Sequence, residues 1–207
     1  MNPEIEDILN FWFDAAGSSP ETAKSRGKLW FRASPTTDGE IKRRFGDLLS
    51  QGIAGNLEEW RHTPRGRLAL IILFDQFSRN IFRGTAMAFA QDERALLLAE
   101  EGIAGALDRS LSDVERVFFY MPYQHSENAD VQDRSVHLYN ELKAQASEEF
   151  KEIVSGFAHY AEEHRDIVVR FGRFPHRNAI LNRPSTPEEL AFLNTDKRSF
   201  GQHVEQN

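Results

Sequence analysis

The segment from Arg67 to Phe82 places apolar residues on almost every side of a helix, and it constrains the fold more than any other part of the chain. Its large apolar residues are Leu68, Leu70, Ile71, Ile72, Leu73, Phe74, Phe77, Ile81 and Phe82. A helix that is apolar nearly all round must be covered on most sides by other parts of the protein. The segment therefore predicts a central helix surrounded by the remaining elements.

The other apolar stretches follow the three- and four-residue spacing of amphipathic helices. This spacing predicts helices over Ile5 to Ala16, from about Thr37 onwards, over Gln91 to Leu107, Leu111 to Tyr120, Val131 to Leu142 and Phe150 to Phe171, and after Thr186. Helix boundaries are expected at two capping boxes, Thr37 with Glu40 and Thr186 with Glu189, and at Met121-Pro122.

No segment alternates with period two between turn signals, so we expect no strands. The prediction is an all-α fold built from antiparallel helix pairs. Periodicity alone leaves open whether these pairs form a bundle or a superhelical stack of the tetratricopeptide type.

Composition and charge narrow the functional classes. The chain has 207 residues, and we expect one domain over residues 1–207. Its formal net charge of −7 would repel a nucleic-acid backbone, so no nucleic-acid partner is expected. The N-terminus is acidic, cysteine is absent, and no apolar stretch approaches the ~18 residues of a membrane span. We expect a cytoplasmic protein without a membrane partner, and its oligomeric state stays open.

The central segment interrupts its apolar pattern at residues 75–80. Asp75 and Arg79 are four residues apart and share one face of a helix. Burying charged groups requires partners, so the two side chains must satisfy each other, satisfy other polar groups or bind a ligand. An ion pair that holds the helix in place and a functional site both stay open, and Gln76, Arg79 and Asn80 are candidate ligand-binding residues.

A second polar cluster occupies residues 120–127, where a predicted helix runs into a loop. His125 can titrate near neutral pH, and Glu127 is close enough in sequence to orient or deprotonate it. Asp75, His125 and Glu127 are therefore the candidate acid–base residues. Alternatively, Ser126 and Glu127 only cap the next helix.

The segment from Arg170 to Asn178 holds three arginines, a histidine and an asparagine within nine residues. Guanidinium groups match carboxylate and phosphate geometry, and Gly172 and Pro175 break the helix so that the arginines can converge. The candidate ligand-binding residues here are Arg170, Arg173, His176, Arg177, Asn178 and, on the preceding helix, His164. The alternatives are a web of internal salt bridges and, for His164, a core histidine with a satisfied N–H.

Several chemistries lack their sequence signatures. The chain has no Gly-rich phosphate loop and no Gly-x-Ser-x-Gly motif. His159 and His164 are five residues apart, whereas a helical zinc pair needs a spacing of four. We therefore expect no metal and no cofactor. A metal held by His125, Glu127 and His176 is the weaker alternative.

Seven segments, in order along the chain, carry a resemblance to a known family: Phe11-Trp12-Phe13, Trp30-Phe31, Ile72 to Gly84, Ala88 to Asp92, Tyr120 to Glu127, Arg170 to Asn178 and Ser185 to Glu189. In these segments the chain resembles the DUF924 family of bacterial and eukaryotic proteins of unknown function. The resemblance implies a helical fold like that of tetratricopeptide repeats, and it implies no activity.

The residues thus predict a polar pocket for a small anionic ligand, with arginines that hold the anion. If the protein is an enzyme, a metal-independent hydrolase or lyase fits these groups. The alternative is a tetratricopeptide-like scaffold that binds an acidic peptide or a protein C-terminus. A third reading is that every arginine is structural.

Overall fold

The computed structural model describes residues 2–14, 16–17 and 19–195. Across those ranges the chain forms helices and turns and no strand, which confirms the all-α class. The α-helices are α1 (Pro3–Phe13), α2 (Pro20–Phe31), α3 (Pro35–Ile53), α4 (Pro64–Ile71), α5 (Ser78–Ile81), α6 (Asp92–Ala104), α7 (Asp113–Gln124), α8 (Ala129–Gln145), α9 (Lys151–Phe171) and α10 (Pro187–Thr195).

The central helix exists as predicted, but its middle is π-helical. A π-helical segment, Ile72–Phe77, joins α4 to α5 without a break. All residues from 66 to 78 are buried, and α1, α3, α6 and α7 pack around this element. π-helical turns are rare and occur often at functional sites. Here the turn carries Asp75 and Gln76, the polar residues that interrupt the apolar pattern.

The apolar core extends through α1, the central helix and the consecutive helices α7, α8 and α9. It reaches from Ile5 in α1 to Ala161 in α9. A smaller apolar cluster, formed by Ile167, Val168 and Phe174, lies beside α10, where Phe192 packs against it. The second cluster anchors the segment that follows α9, which is the segment rich in arginine.

Two predicted helix boundaries are wrong. The helix α3 begins at Pro35, because Ser34 and not Thr37 is its cap: Ser34 Oγ accepts a hydrogen bond from the Thr37 amide at 3.3 Å. The helix α7 continues through Pro122 to Gln124. Proline removes one helical hydrogen bond, but this last turn is buried on all its residues, and we attribute its persistence to that packing.

Other local predictions have mixed outcomes. The capping box at Thr186 and Glu189 is confirmed by hydrogen bonds in both directions. The helix α1 ends at Phe13, short of Ala16. The helix α2, capped by Ser19, was not predicted, because its apolar residues are few and concentrated at its C-terminal end.

Membrane crossing needs a long apolar helix, and the part of the chain that the structure describes contains none.

Candidate functional site

A cavity of about 300 Å³ lies where the end of α2, the central helix, the end of α7 and the middle of α9 meet residues 174–177. It is lined by Leu29, Trp30, Phe31, Arg32, Ala33, Gln76, Arg79, Asn80, Arg83, Phe89, Met121, Gln124, His125, Phe157, Tyr160, His164, Phe174, His176 and Arg177. The lining therefore combines basic and amide side chains with aromatic rings.

The structure brings many of the residues singled out in the sequence to this cavity. The predicted site residues among its lining are Gln76, Arg79, Asn80, His125, His164, His176 and Arg177. They come from three parts of the chain that are distant in sequence. Asp75 lies directly behind the lining and is fully buried.

Asp75 holds His125 in one orientation. The Nδ1 atom of His125 lies 2.6 Å from Asp75 Oδ1. An ionised carboxylate only accepts hydrogen bonds, so Nδ1 carries the proton and Nε2 is the basic nitrogen of the neutral ring. Asp75 also accepts a hydrogen bond from Gln76 Nε2 at 2.5 Å and lies 3.1 Å from Arg79 Nη1.

The environment keeps Asp75 ionised and His125 neutral. Burial alone would raise the pKa of Asp75, but the charge of Arg79 and the hydrogen bond from His125 outweigh it, and the pKa lies below its ordinary value. Burial, together with the nearby Arg79 charge, lowers the pKa of His125. A neutral, oriented histidine is suited to accept a proton.

Two buried guanidinium groups share one carboxylate. Asp92 Oδ2 accepts hydrogen bonds from Arg79 Nη2 at 3.0 Å and from Arg177 Nη1 at 3.3 Å. The ring of Phe89 lies 4.5 Å from the Arg177 guanidinium carbon and 5.8 Å from that of Arg79. The centre of the Phe174 ring lies 4.7 Å from the same guanidinium carbon of Arg177. Both arginines are thus held by a carboxylate and by aromatic faces.

The buried guanidinium group of Arg177 is only partly satisfied, both in its charge and in its hydrogen bonds. Burial lowers its pKa to about 10, against the opposing effect of Asp92. In the described part of the chain, its Nε has no hydrogen-bond acceptor although the atom is buried. A buried donor without an acceptor is costly, so the folded protein carries this guanidinium at a cost in stability.

A third arginine of the lining is paired from behind. Arg83 donates two hydrogen bonds to Asp38, at 2.6 and 2.9 Å, and Asn80 donates to the same carboxylate at 2.8 Å. The carboxylates of Asp38, Asp75 and Asp92 thus all lie outside the lining, which itself contains no acidic residue among those described. The cavity wall therefore presents the donors and not their counter-charges.

Glu127 anchors the arginine-rich segment rather than orienting His125. It accepts a hydrogen bond from the Phe174 amide at 2.7 Å and two from Arg183, at 2.5 and 2.9 Å. Burial alone would raise the pKa of Glu127, but the hydrogen bonds from Arg183 and from the Phe174 amide lower it below its ordinary value. Its role in the structure is to hold residues 174–177 against the cavity.

Three of the predicted ligand-binding residues lie outside the lining. Arg173 donates to both carboxylate oxygens of Glu189, at 2.6 and 2.8 Å, and Asn178 donates to the same group at 3.3 Å. Arg170 is exposed and pairs with Glu188 at 2.9 Å. These contacts tie α10 to the segment, so half of the segment forms salt bridges while the other half forms the cavity wall.

The two remaining histidines complete the inner wall. His164 Nδ1 lies 2.7 Å from the Tyr160 carbonyl oxygen, as expected for a histidine with a satisfied N–H. The pKa of His176 is lowered to about 2, chiefly by burial and then by the charge of Arg177. His176 is therefore neutral at pH 7.

Sequence reasoning missed the aromatic part of the lining and two of its arginines, Arg32 and Arg83. Trp30, Phe31, Phe157 and Tyr160 carry no local signal that distinguishes them from core residues. Arg83 closes the motif that begins at the central helix, and its polarity in that motif was the available signal. Among the described residues, no group of three or more histidine or acidic side chains is placed to hold a metal ion.

The fold and the site define an all-α protein with a cavity of basic and aromatic side chains. The chain belongs to the DUF924 family, described as bacterial proteins of unknown function, whose model matches residues 8–197. It is similar to a solved structure of a protein of unknown function from Agrobacterium tumefaciens, with 38% identity and a TM-score of 0.77. The similarity covers 92% of this chain and 97% of that one. No curated protein matches the chain.

Proposed function

We propose that the cavity binds a small organic anion, with the negative charge placed against Arg79 and Arg177. The observation that carries this proposal is the pair of buried guanidinium groups that share Asp92, with the buried Nε of Arg177 lacking an acceptor in the described chain. Guanidinium groups bind carboxylates and phosphates through paired hydrogen bonds. An anion in the cavity gives the guanidinium groups that line it a further acceptor and a negative charge.

The dimensions of the site favour a small molecule over a peptide. A volume of about 300 Å³ lies at the lower end of small-ligand cavities. Arg170 and Arg173, the arginines that an acidic peptide would need on an open surface, are paired with Glu188 and Glu189. The peptide-binding alternative therefore has less support than the small-ligand proposal.

The Asp75–His125 pair supports a second candidate function, proton transfer on the bound anion. Nε2 of His125 is the basic nitrogen, and Asp75 stabilises the imidazolium that forms when it takes a proton. The described lining contains no serine, threonine, cysteine or lysine, so a covalent nucleophile of the common types is missing there. A hydrolase in which His125 activates water, or a lyase in which it removes a proton from the ligand, fits this set.

Thermal unfolding with a panel of small carboxylates and phosphates tests the binding proposal. A ligand present at 100 times its Kd adds about 2.7 kcal/mol, or roughly 5–10 °C in Tm for a chain of this size. We expect at least one anion to produce such a shift. The shift should vanish in Arg177→Met and persist in Arg170→Gln, which removes an exposed arginine outside the cavity.

A shift that survives Arg177→Met, or the lack of any shift across the panel, contradicts the binding proposal. For the acid–base candidate, mass spectrometry of a bound anion incubated with the protein is expected to detect a product. His125→Gln should abolish the product and keep the thermal shift. If the product still forms with His125→Gln, histidine is not the base.

A further inference from the structure

We infer that the ligand is a monoanion that carries a flat apolar group such as an aromatic ring. This inference rests on the proposed function and adds the chemical class of the ligand. It follows from the division of the cavity into a polar inner end and an aromatic mouth, and from the charge balance of the whole cavity.

Exposure distinguishes the two ends of the cavity. The side chains of Arg79 and Arg177 are 12% and 8% exposed, which places them at the inner end. Phe31 and Tyr160 are 56% and 53% exposed although they line the same cavity, which places them at its mouth. Few large apolar side chains of the described chain are this exposed, and two of them meet here. Exposed aromatic groups at one site mark a surface that binds apolar material.

The mouth offers ring faces and edges rather than a loose apolar surface. The Phe31 ring packs against Phe157, with ring centres 5.7 Å apart, and against Trp30 at 6.0 Å. Trp30 is itself fixed, because its indole N–H donates to the Trp12 carbonyl oxygen at 3.0 Å. Aromatic side chains held in this way favour offset or edge-to-face contact with a flat ligand group.

The volume excludes a bare inorganic anion as a complete occupant. The cavity of about 300 Å³ has the volume of a site for a small organic ligand. A phosphate or an acetate bound to Arg177 occupies only the inner part of this space. The aromatic mouth gains contacts only when the ligand extends beyond its anionic group.

The charges around the inner end sum to zero before a ligand arrives. The guanidinium groups of Arg79, Arg83 and Arg177 are matched by the carboxylates of Asp38, Asp75 and Asp92. The neighbouring histidines, His125 and His176, are neutral. Arg32, an exposed arginine of the same lining, adds one positive charge, so the site favours a single negative charge, because each further charge must be desolvated without a partner.

Isothermal titration calorimetry at pH 7.5 tests the inference with four probes: phenylacetate, acetate, phenyl phosphate and the neutral phenylacetamide. We expect phenylacetate to bind at least about tenfold more tightly than acetate and phenyl phosphate, and phenylacetamide to bind no more tightly than acetate. Phe31→Ala and Tyr160→Ala should each weaken phenylacetate about fivefold and leave acetate unchanged. Val169→Ala, which removes an exposed apolar side chain of α9 outside the cavity, is the matched control.

The outcomes separate this inference from the proposed function. If acetate binds as tightly as phenylacetate and both depend on Arg177, the aromatic inference falls and the anion proposal stands. If phenyl phosphate binds more tightly than phenylacetate, the single-charge inference falls. If phenylacetamide matches phenylacetate, or if no probe binds, the anion proposal falls and takes the inference with it.

Discussion

Replacing Arg177 with methionine is expected to stabilise the ligand-free protein. Arg177 is 6% exposed, and burial lowers its pKa from an ordinary 12.5 to about 10. One pKa unit corresponds to about 1.36 kcal/mol, so the buried charge costs the folded state about 3 kcal/mol. Because pH 7 lies below both pKa values, the side chain is charged in both states and the whole cost applies there.

The substitution also removes favourable contacts. The cation–π contacts with Phe89 and Phe174 contribute about 1 kcal/mol. Asp92 keeps its ion pair with Arg79, and methionine is flexible enough to fill the space between the rings. The free energy of unfolding therefore rises by about 2 kcal/mol, which corresponds to an increase in Tm of roughly 4–8 °C for a protein of this length.

Thermal unfolding followed by circular dichroism, without ligand, measures this change in wild type, Arg177→Met and Arg170→Gln. Arg170→Gln should leave Tm within about 2 °C of wild type, because exposed ion pairs contribute little. A fall in Tm of several degrees for Arg177→Met would refute the reasoning: Arg177 would then be a structural ion-pair residue, and its burial would need no ligand to explain it.

Three further changes test other parts of the structure. His176→Asn should make the stability of the protein less sensitive to acid. Because the pKa of His176 in the folded protein is about 2, only the unfolded chain takes up this proton between pH 6.5 and 5, and wild type loses about 2 kcal/mol of stability there. Urea titrations of both proteins at those two pH values would contradict this if the two lost equal stability. Glu127→Gln should lower the free energy of unfolding by about 2 kcal/mol, because the two hydrogen bonds from Arg183 would no longer be made to a charged group. An unchanged midpoint in urea would show that Glu127 does not anchor this segment. Gly102→Ala should lower the free energy of unfolding by about 1–3 kcal/mol, since its new Cβ would lie 2.5 Å from Phe119 Cζ. An unaltered Tm would show that α6 and α7 can move apart without a loss of stability.

Local chemistry accounts for the predictions that held. The spacing of Asp75 and Arg79 placed both on one face of the helix and left their pairing as one of several alternatives, and the two side chains lie 3.1 Å apart. The cap at Thr186 and Glu189 followed in the same way from a short motif. The boundary at Pro122 failed because burial of the last turn of α7, a property of the whole fold, outweighed the preference of a single residue.

The site illustrates what local chemistry does not contain. The sequence offered Glu127, two residues away, as one residue that could orient His125, yet the carboxylate partner of His125 is Asp75 on the central helix. The three arginines of the segment from Arg170 to Asn178 are equivalent in type, but Arg177 lies at the cavity and Arg173 pairs with Glu189 of α10. Nothing within the segment distinguishes them, because the distinction depends on Asp92 and Glu189.

The amino-acid sequence by itself determined most of the helices, the apolar central element and the polar residues that interrupt it. It did so because helical periodicity and caps act over a few residues, where neighbours in the chain are neighbours in space. Tertiary structure alone decided which donors face the cavity, where their counter-charges lie and which aromatic rings form the mouth. Those features depend on contacts such as the one between Arg177 and Asp92, 85 residues apart, which exist only after the helices have packed.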